Sequence, residues 1–167
     1  MKKIAKLKLD KDIKLNLKNK KNEKWSLTKK ERKEIESKLF KSQGYLCCYC
    51  ECEIDTNNKH IEHFYERSDC KEKIYDYDNN LLLSCEGDRN AELNDNISKK
   101  NRKENISCGH KKGKTYHKNA KLNYDLLLNP TDEKTFELFL YNDDGTVENS
   151  KICDKNEIKK VEYTIKY

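Results

Sequence analysis

The sequence predicts an α+β fold, with a small core of helices and strands, a helical extension before it and a β-hairpin after it. Three observations lead to this prediction. The segment from Thr28 to Gly44 has the pattern of a capped helix, most of the eight cysteines are concentrated in the middle of the chain, and Asp144-Gly145 separates two short apolar runs as in a hairpin. Only 34% of the 167 residues are hydrophobic, so a small apolar core needs a further source of stability.

Composition argues against two classes of protein. The N-terminus reads Met1-Lys2-Lys3-Ile4 and has no apolar signal segment, which argues against a secreted, disulfide-bonded chain. We therefore expect a reduced, cytoplasmic protein whose cysteines bind zinc. No membrane contact is expected, because the longest apolar runs are triplets such as Leu81-Leu82-Leu83, far short of the ~20 residues that span a bilayer.

Charge is distributed unevenly along the chain. Basic residues dominate two segments: residues 1–44 carry 16 Lys/Arg and 6 Asp/Glu, and residues 99–121 carry 9 Lys/Arg and 1 Asp/Glu. Acidic residues dominate the other two: residues 45–98 carry 5 Lys/Arg and 13 Asp/Glu, and residues 122–167 carry 6 Lys/Arg and 10 Asp/Glu. Two basic blocks thus flank an acidic middle, which suits a cation-binding site between surfaces that attract phosphates. The simpler alternative is that these lysine-rich surfaces are only solvated or bind a partner.

The first 44 residues contain one clear element. Residues 1–24 alternate apolar side chains with lysines and are expected to form an extended arm. The string Thr28-Lys29-Lys30-Glu31 has the spacing of a capping box, and Gly44 is a typical C-terminal stop, so a helix is predicted from about Lys29 to Ser42. Trp25 is expected to anchor this helix to the core, with a partner contact as the alternative.

Three regions follow from these patterns. Residues 1–44 form a basic arm and helix for partner docking, residues 45–130 form the metal-binding core, and residues 131–167 form a hairpin and the start of a helix. The hairpin begins with the run Phe136–Tyr141. The tail Asn156–Tyr167 has apolar residues at helical spacing but no C-terminal cap, so we expect the chain to be incomplete at this end.

The cysteine spacing predicts a structural zinc site. Cys47 and Cys50 form a C-x-x-C pair, and Cys85 and Cys108 supply two further thiolates for a closed tetrahedron. The last two cysteines are 23 positions apart (108 − 85), so Glu86–Ser107 is expected to be an inserted loop. Several alternatives remain open at this point. Cys48 and Cys52 are alternative ligands, whereas Cys70 and Cys153 are expected to be buried or free thiols. The remaining possibility is that the chain binds no zinc.

A second group of residues follows a different logic. Glu62 and His63 are an adjacent acid–histidine pair, and Asn80 and His110 follow them. A carboxylate oxygen and an imidazole leave coordination positions open, as a catalytic Mg²⁺ or Mn²⁺ requires. Each residue also has an ordinary structural reading; Asn80, for example, would cap a helix at Leu81–Leu83. We set apart two histidines: His60 is read as an exposed strand residue and His117 as a surface residue.

In this order the motifs resemble the retron- and Septu-associated HNH endonucleases, the PtuB-like anti-phage defence nucleases. The similarity covers most of residues 25–150. Five strings carry it: Gly44–Glu51, His60–Phe64, Tyr77–Cys85, Cys108–Gly113 and Leu128–Pro130. The resemblance implies a zinc-stapled ββα-metal core, cleavage of DNA, and a partner subunit that is an ABC-type ATPase (PtuA-like).

The resemblance also implies roles for single residues. His63 would be the general base, Glu62 and His110 would hold the divalent ion, and Asn80 would support the loop that orients His63. The lysines after His110 would grip phosphates: Lys111, Lys112 and Lys114.

Two departures from the family pattern stand out. Glu62 replaces the more frequent Asp, and Tyr65-Glu66-Arg67 replaces a frequent Arg-Pro. The competing hypothesis is a catalytically inactive zinc-stapled module that binds nucleic acid or protein. A metal-storing or redox thiol protein is a third reading, in which the order of the histidine motifs would be accidental.

Overall fold

The computed structural model describes residues 4–21, 23–87, 107–116, 122–144 and 146–166, with backbone only for 113–116. In these residues it contains four α-helices and two antiparallel two-stranded sheets, so the predicted α+β class is confirmed. The helices are α1 Lys11–Asn19, α2 Lys29–Gln43, α3 Cys108–Tyr116 and α4 Lys155–Lys166. The strands are β1 Lys59–His63, β2 Leu81–Cys85, β3 Phe139–Tyr141 and β4 Val147–Asn149. None of the described helices combines the length and apolar composition needed to cross a bilayer.

Helix α2 confirms the prediction made from its capping signals. The Thr28 hydroxyl accepts a hydrogen bond from the Glu31 N–H at 3.2 Å, and the Glu31 carboxylate accepts one from the Thr28 N–H at 2.8 Å. Glu31 is buried and pairs with Lys20 at 2.8 Å, which ties the cap to the end of α1. Gly44 ends the helix with a left-handed φ of 63°, a conformation that glycine adopts at little cost.

The extended arm predicted for the N-terminus is wrong over Lys11–Asn19, where the chain forms helix α1. The Asp10 side chain caps this helix by accepting a hydrogen bond from the Asp12 N–H at 2.9 Å. Ile13 and Leu17 lie four positions apart on one helix face and are each 2% exposed. Residues four positions apart share a face in a strand as well as in a helix, so the spacing alone does not select the helix; the Asp10 cap favours it in addition.

One apolar cluster connects α1 and α2 with strand β2. Its buried members therefore come from both the first 44 residues and the segment that follows them, and they include Ile13, Leu17, Ile35, Leu39, Tyr75, Leu81 and Leu83. All five residues of β2 are buried, with Leu82 facing a second cluster that contains Ile4 and Phe64. The alternative of a helix at Leu81–Leu83 is thus wrong, because these residues alternate between two packed faces.

Strands β1 and β2 pair antiparallel, and this pairing positions the candidate site. The register aligns Lys59 with Cys85 and His63 with Leu81. Because side chains alternate along a strand, His60 and Glu62 share one face of β1, while Ile61 and His63 belong to the other face.

The C-terminal region forms the predicted hairpin and helix, but the first strand begins at Phe139 instead of Phe136, because Thr135–Glu137 form a short 3₁₀ helix. Strands β3 and β4 pair antiparallel, with Tyr141 opposite Val147, and α4 buries Val161 completely. Two residues named in the sequence predictions, Gly145 and Tyr167, lie outside the described residues.

Helix α1 offers a matched test of this packing. We expect Leu17→Ala to lower the free energy of unfolding by about 2–5 kcal/mol, because it empties a buried site. Leu15→Ala in the same helix should change it by no more than about 0.5 kcal/mol, since Leu15 is 57% exposed. Urea unfolding followed by circular dichroism measures both values. Equal effects of the two substitutions would contradict the packing of α1.

Candidate metal centre and catalytic cleft

Four cysteine sulfurs converge at one point. The thiols of Cys47, Cys50, Cys85 and Cys108 all lie within 4.8 Å of one another, and the Sγ atoms of Cys50 and Cys85 are 3.8 Å apart. Four sulfurs at ~2.3 Å from a tetrahedral zinc ion would be ~3.8 Å from each other. The cluster is therefore suited to bind a metal ion such as zinc.

The elements of the fold explain this convergence. Cys47 and Cys50 lie in the turn after α2, Cys85 ends β2, and Cys108 begins α3. The Cys85 N–H also donates to the Cys47 sulfur at 3.4 Å, a contact that favours a thiolate. The four side chains thus join three segments that are distant in the sequence.

The thiols influence one another's pKa values in a way that suits metal binding. Hydrogen bonding from Cys108 and other cysteines lowers the pKa of Cys47 far below that of an ordinary thiol, and it also lowers that of Cys50 to about 6. The pKa of Cys108 is raised instead, because its thiol donates to Cys47. A thiolate is the form that binds zinc, and among these thiols the lowered pKa values of Cys47 and Cys50 favour it.

The structure distinguishes among the remaining cysteines. Cys48 packs in the second apolar cluster, where burial raises the pKa of its thiol. Cys52 is exposed and does not belong to the four-thiol group. Cys70 is half-buried, and Cys153 donates from Sγ to the Leu138 carbonyl at 3.3 Å. All eight cysteines lie in the described residues, and none forms a disulfide.

His63 is held in one orientation at the end of β1. Its Nε2 lies 3.2 Å from the Ile74 carbonyl, which can only accept, so Nε2 carries the proton and Nδ1 keeps its lone pair. The edge of the Trp25 ring contacts the imidazole, with centroids 4.5 Å apart and planes at 85°. Burial, followed by the charge of Arg67, lowers the pKa of His63 to about 4, so the ring is neutral at neutral pH.

Asn80 supports the chain around His63. Its Oδ1 accepts from the Tyr65 N–H at 2.6 Å, and its Nδ2 donates to the Lys73 carbonyl at 2.8 Å. The Asn80 backbone carbonyl accepts from the Phe64 N–H at 3.0 Å. Asn80 thus connects the end of β1 with the turn that carries Ile74, the hydrogen-bond partner of His63.

Glu62 and Lys112 form a buried ion pair beside the cleft. The Lys112 ammonium contacts the Glu62 carboxylate and also donates to the His63 and Phe64 carbonyls at 2.6 and 3.0 Å. Burial alone would raise the pKa of Glu62, but the charge of Lys112 and a hydrogen bond from His60 hold it at about 2. The Tyr49 hydroxyl donates to the same carboxylate at 3.1 Å.

This geometry corrects one predicted phosphate contact. Lys112 is 5% exposed and its ammonium is occupied by the protein, so it cannot grip a phosphate. Lys111, the preceding residue of α3, is exposed, and its phosphate contact stays a prediction. The Lys114 side chain, His117 and residues 88–106 of the predicted inserted loop lie outside the described residues.

A second group of potential metal ligands contains His60, which was expected to be an exposed strand residue but is half-buried, and Glu86, to which the sequence reasoning gave no role. Ligand atoms of His60, Glu86 and His110 lie within 4.8 Å of one another, and Nε2 of His110 is 3.1 Å from a Glu86 oxygen. The signal for His60 was its position two residues before Glu62, which places both on one face of β1. No local pattern marks Glu86, which joins the group because it directly follows Cys85.

Gly109 allows α3 to approach this group closely. A Cβ atom at this position would lie 2.5 Å from a Glu62 oxygen and 2.9 Å from His60 Nε2. No side chain is tolerated at such distances without a shift of the helix or of both partners. The Cys-Gly-His string therefore places a thiol and an imidazole within one helical turn, and the glycine between them lets the helix lie close to Glu62 and His60.

These side chains line a single cleft of about 480 Å³. The lining comes from the segment before α2, from β1 and the loop after it, and from α3. It includes Trp25, His60, His63, Arg67, Ser68 and His110. The cleft thus brings a neutral imidazole, a candidate metal group and an exposed arginine to one accessible surface.

The four-thiol cluster predicts a specific metal requirement. We expect one tightly bound zinc per chain, and Cys108→Ser should reduce the zinc content and destabilise the fold, because binding energy at such sites is largely folding energy. Elemental analysis and thermal melting measure the two effects.

Cys153→Ser is the matched control, because a hydroxyl still donates to the Leu138 carbonyl. It should keep both zinc and stability. A wild-type protein that holds no zinc, or a Cys108→Ser variant that keeps a full complement, would contradict the assignment.

Comparison with known proteins adds no relative to this picture. No protein-family model matches the chain, and no curated protein matches it. What the site can do chemically must therefore be inferred from its own residues, above all from the fixed imidazole of His63 and the ligand groups beside it.

Proposed function

We propose that this chain is a metal-dependent HNH endonuclease that hydrolyses phosphodiester bonds. One observation carries the proposal: the neutral imidazole of His63, fixed by the Ile74 carbonyl, lines the same cleft as His60 and His110, which form a candidate metal group with Glu86. The order of β1, β2 and α3 around the thiol cluster also agrees with the ββα-metal arrangement that the motifs imply. DNA as the substrate rests on the family resemblance alone.

His63 supplies the general base. Its Nδ1 accepts a proton from a water molecule, while the Nε2–H group continues to donate to the Ile74 carbonyl and keeps the ring in place. The low pKa favours the neutral ring that this role requires. Within the described residues, no hydrogen bond to Nδ1 competes for its lone pair.

The other residues of the cleft position the substrate and the base. His110 and the acidic side chains near it would hold a divalent cation, which when bound stabilises negative charge on the phosphate and on the departing 3′ oxygen. Arg67 is exposed in the lining of the cleft and Lys111 is exposed on α3, and both are suited to contact flanking phosphates without reading base sequence. Asn80 acts only through the backbone that orients His63.

A role in anti-phage defence with an ABC-type ATPase (PtuA-like) is part of this proposal and comes from the resemblance. The exposed face of α1 is a suitable docking surface for a partner, since Lys11, Lys14, Leu15 and Lys18 border one shallow surface cleft. Deleting residues 1–24 would not test this cleanly, because the deletion also removes Ile13 and Leu17 from the core. Substitutions confined to the exposed lysines avoid that problem.

His63→Ala provides the direct test of the enzymatic reading. We expect cleavage of supercoiled plasmid in Mn²⁺ to fall by roughly 10²- to 10⁴-fold, because the substitution removes the proton acceptor. Zinc content and DNA affinity should stay close to those of the unmodified chain. Gel-based nicking assays, elemental analysis and fluorescence anisotropy measure these quantities.

The assay should be run with and without the ATPase, since the resemblance implies that the partner takes part in the reaction. If His63→Ala cleaves as fast as the unmodified chain, His63 is not the base. If neither the unmodified chain nor His63→Ala cleaves DNA in any condition, while both bind DNA, the zinc-stapled interaction module becomes the better description.

A further inference from the structure

We infer that His60, Glu86 and His110 form the binding site for a first-row transition-metal dication, and that Glu62 orients His60 instead of binding the ion. This ligand set differs from the Glu62 and His110 pair expected from the sequence. The use of the ion in cleavage rests on the proposed function, whereas its binding does not.

The first argument is the geometry of the three side chains. Nε2 of His110 is 3.1 Å from one Glu86 oxygen, and Nδ1 of His60 is 3.8 Å from the other. Ligands at ~2.0–2.2 Å from one ion lie roughly 3.0–3.5 Å from each other, so small side-chain rotations would complete the site. The two imidazole rings lie close together, with centroids 4.3 Å apart.

The second argument is the state of His60. Its Nδ1 is buried and has no hydrogen-bond partner in the part of the chain that the structure describes. A buried polar atom without a partner is costly, and a bound cation would remove that cost. Nδ1 is also the His60 nitrogen on the side of Glu86, as expected of a ligand atom.

The third argument is the position of Glu62. One of its oxygens lies 3.4 Å from Nε2 of His60, on the opposite side of the ring from Nδ1. Histidine ligands of metals usually donate their other N–H to a carboxylate, which fixes the ring and its tautomer. Glu62 is well placed for this role, since Lys112 and Tyr49 already hold its other oxygen.

Charge compensation leads to the same division of roles. The Glu62 carboxylate is balanced by the buried Lys112 ammonium, so it has little net charge to offer a cation. Glu86 lies beside the two imidazoles, with a carboxylate oxygen within 4.8 Å of a ring nitrogen of each. Two nitrogen ligands and one oxygen favour Mn²⁺ or a similar transition ion over Mg²⁺, which prefers an all-oxygen environment.

Titration of the zinc-loaded full chain with Mn²⁺, followed by electron paramagnetic resonance, tests the inference. We expect one Mn²⁺ per chain, with ¹⁴N coupling from imidazole in the pulsed spectrum and no displacement by a tenfold excess of Mg²⁺. His60→Ala and Glu86→Gln should each weaken Mn²⁺ binding by at least about 10-fold. His63→Ala is the matched histidine control and should leave Mn²⁺ affinity unchanged.

Zinc content and circular dichroism show whether each variant has folded, and Glu86→Gln preserves the shape of the side chain if His60→Ala does not fold. Unchanged affinity in both folded variants, absence of ¹⁴N coupling, or displacement of Mn²⁺ by Mg²⁺ would overturn the inference. A chain that binds Mn²⁺ as expected but cuts no DNA would refute the proposed function and leave the metal site intact. If the chain cleaves DNA but His60→Ala and Glu86→Gln bind Mn²⁺ as tightly as the unmodified chain, the metal site is refuted and the proposed function stands.

Discussion

The convergence of four thiols is the constraint on which the rest of this structure depends. Helix α3 begins at one of these residues, Cys108, and carries His110 only two positions later. Among residues 108–112 of α3, only Gly109 and Lys112 are buried, and neither is apolar in its side chain. We therefore expect a metal ion at the sulfurs to contribute more to the position of the His110 imidazole than hydrophobic packing by these residues does.

Strand β1 contributes residues to two sides of the cleft, because its side chains alternate between its two faces. His60 and Glu62 meet α3, whereas His63 lies against Trp25 from the segment that precedes α2. The N-terminal segment thus forms part of the wall around the imidazole of His63. A strand only five residues long can in this way supply both a candidate metal ligand and a candidate base.

Local signals were sufficient for part of the fold and of the site. The capping box of α2, the hairpin and the Cys47–Cys50 pair were predictable, because the relevant residues are neighbours in sequence or have a known ligand spacing. Helix α1 was not, since its sparse apolar residues fit both an extended and a helical period until burial shows which of them face the core. Lys112 and Lys111 could not be told apart either, because only the helical phase of α3 decides which one points inward. The place of Glu86 in the candidate metal group could be recognised only from the tertiary structure.

The two ends of the segment between β2 and α3 meet in space. A Cβ atom placed on Gly87 would lie 2.9 Å from the Ser107 hydroxyl, so the chain leaves and re-enters the core at one point. The entropic cost of closing a loop grows only slowly with its length, by about 0.6 kcal/mol for each doubling. The span from 88 to 106 is therefore a place where evolution or protein engineering can lengthen, shorten or replace the chain while the thiols and imidazoles keep their arrangement.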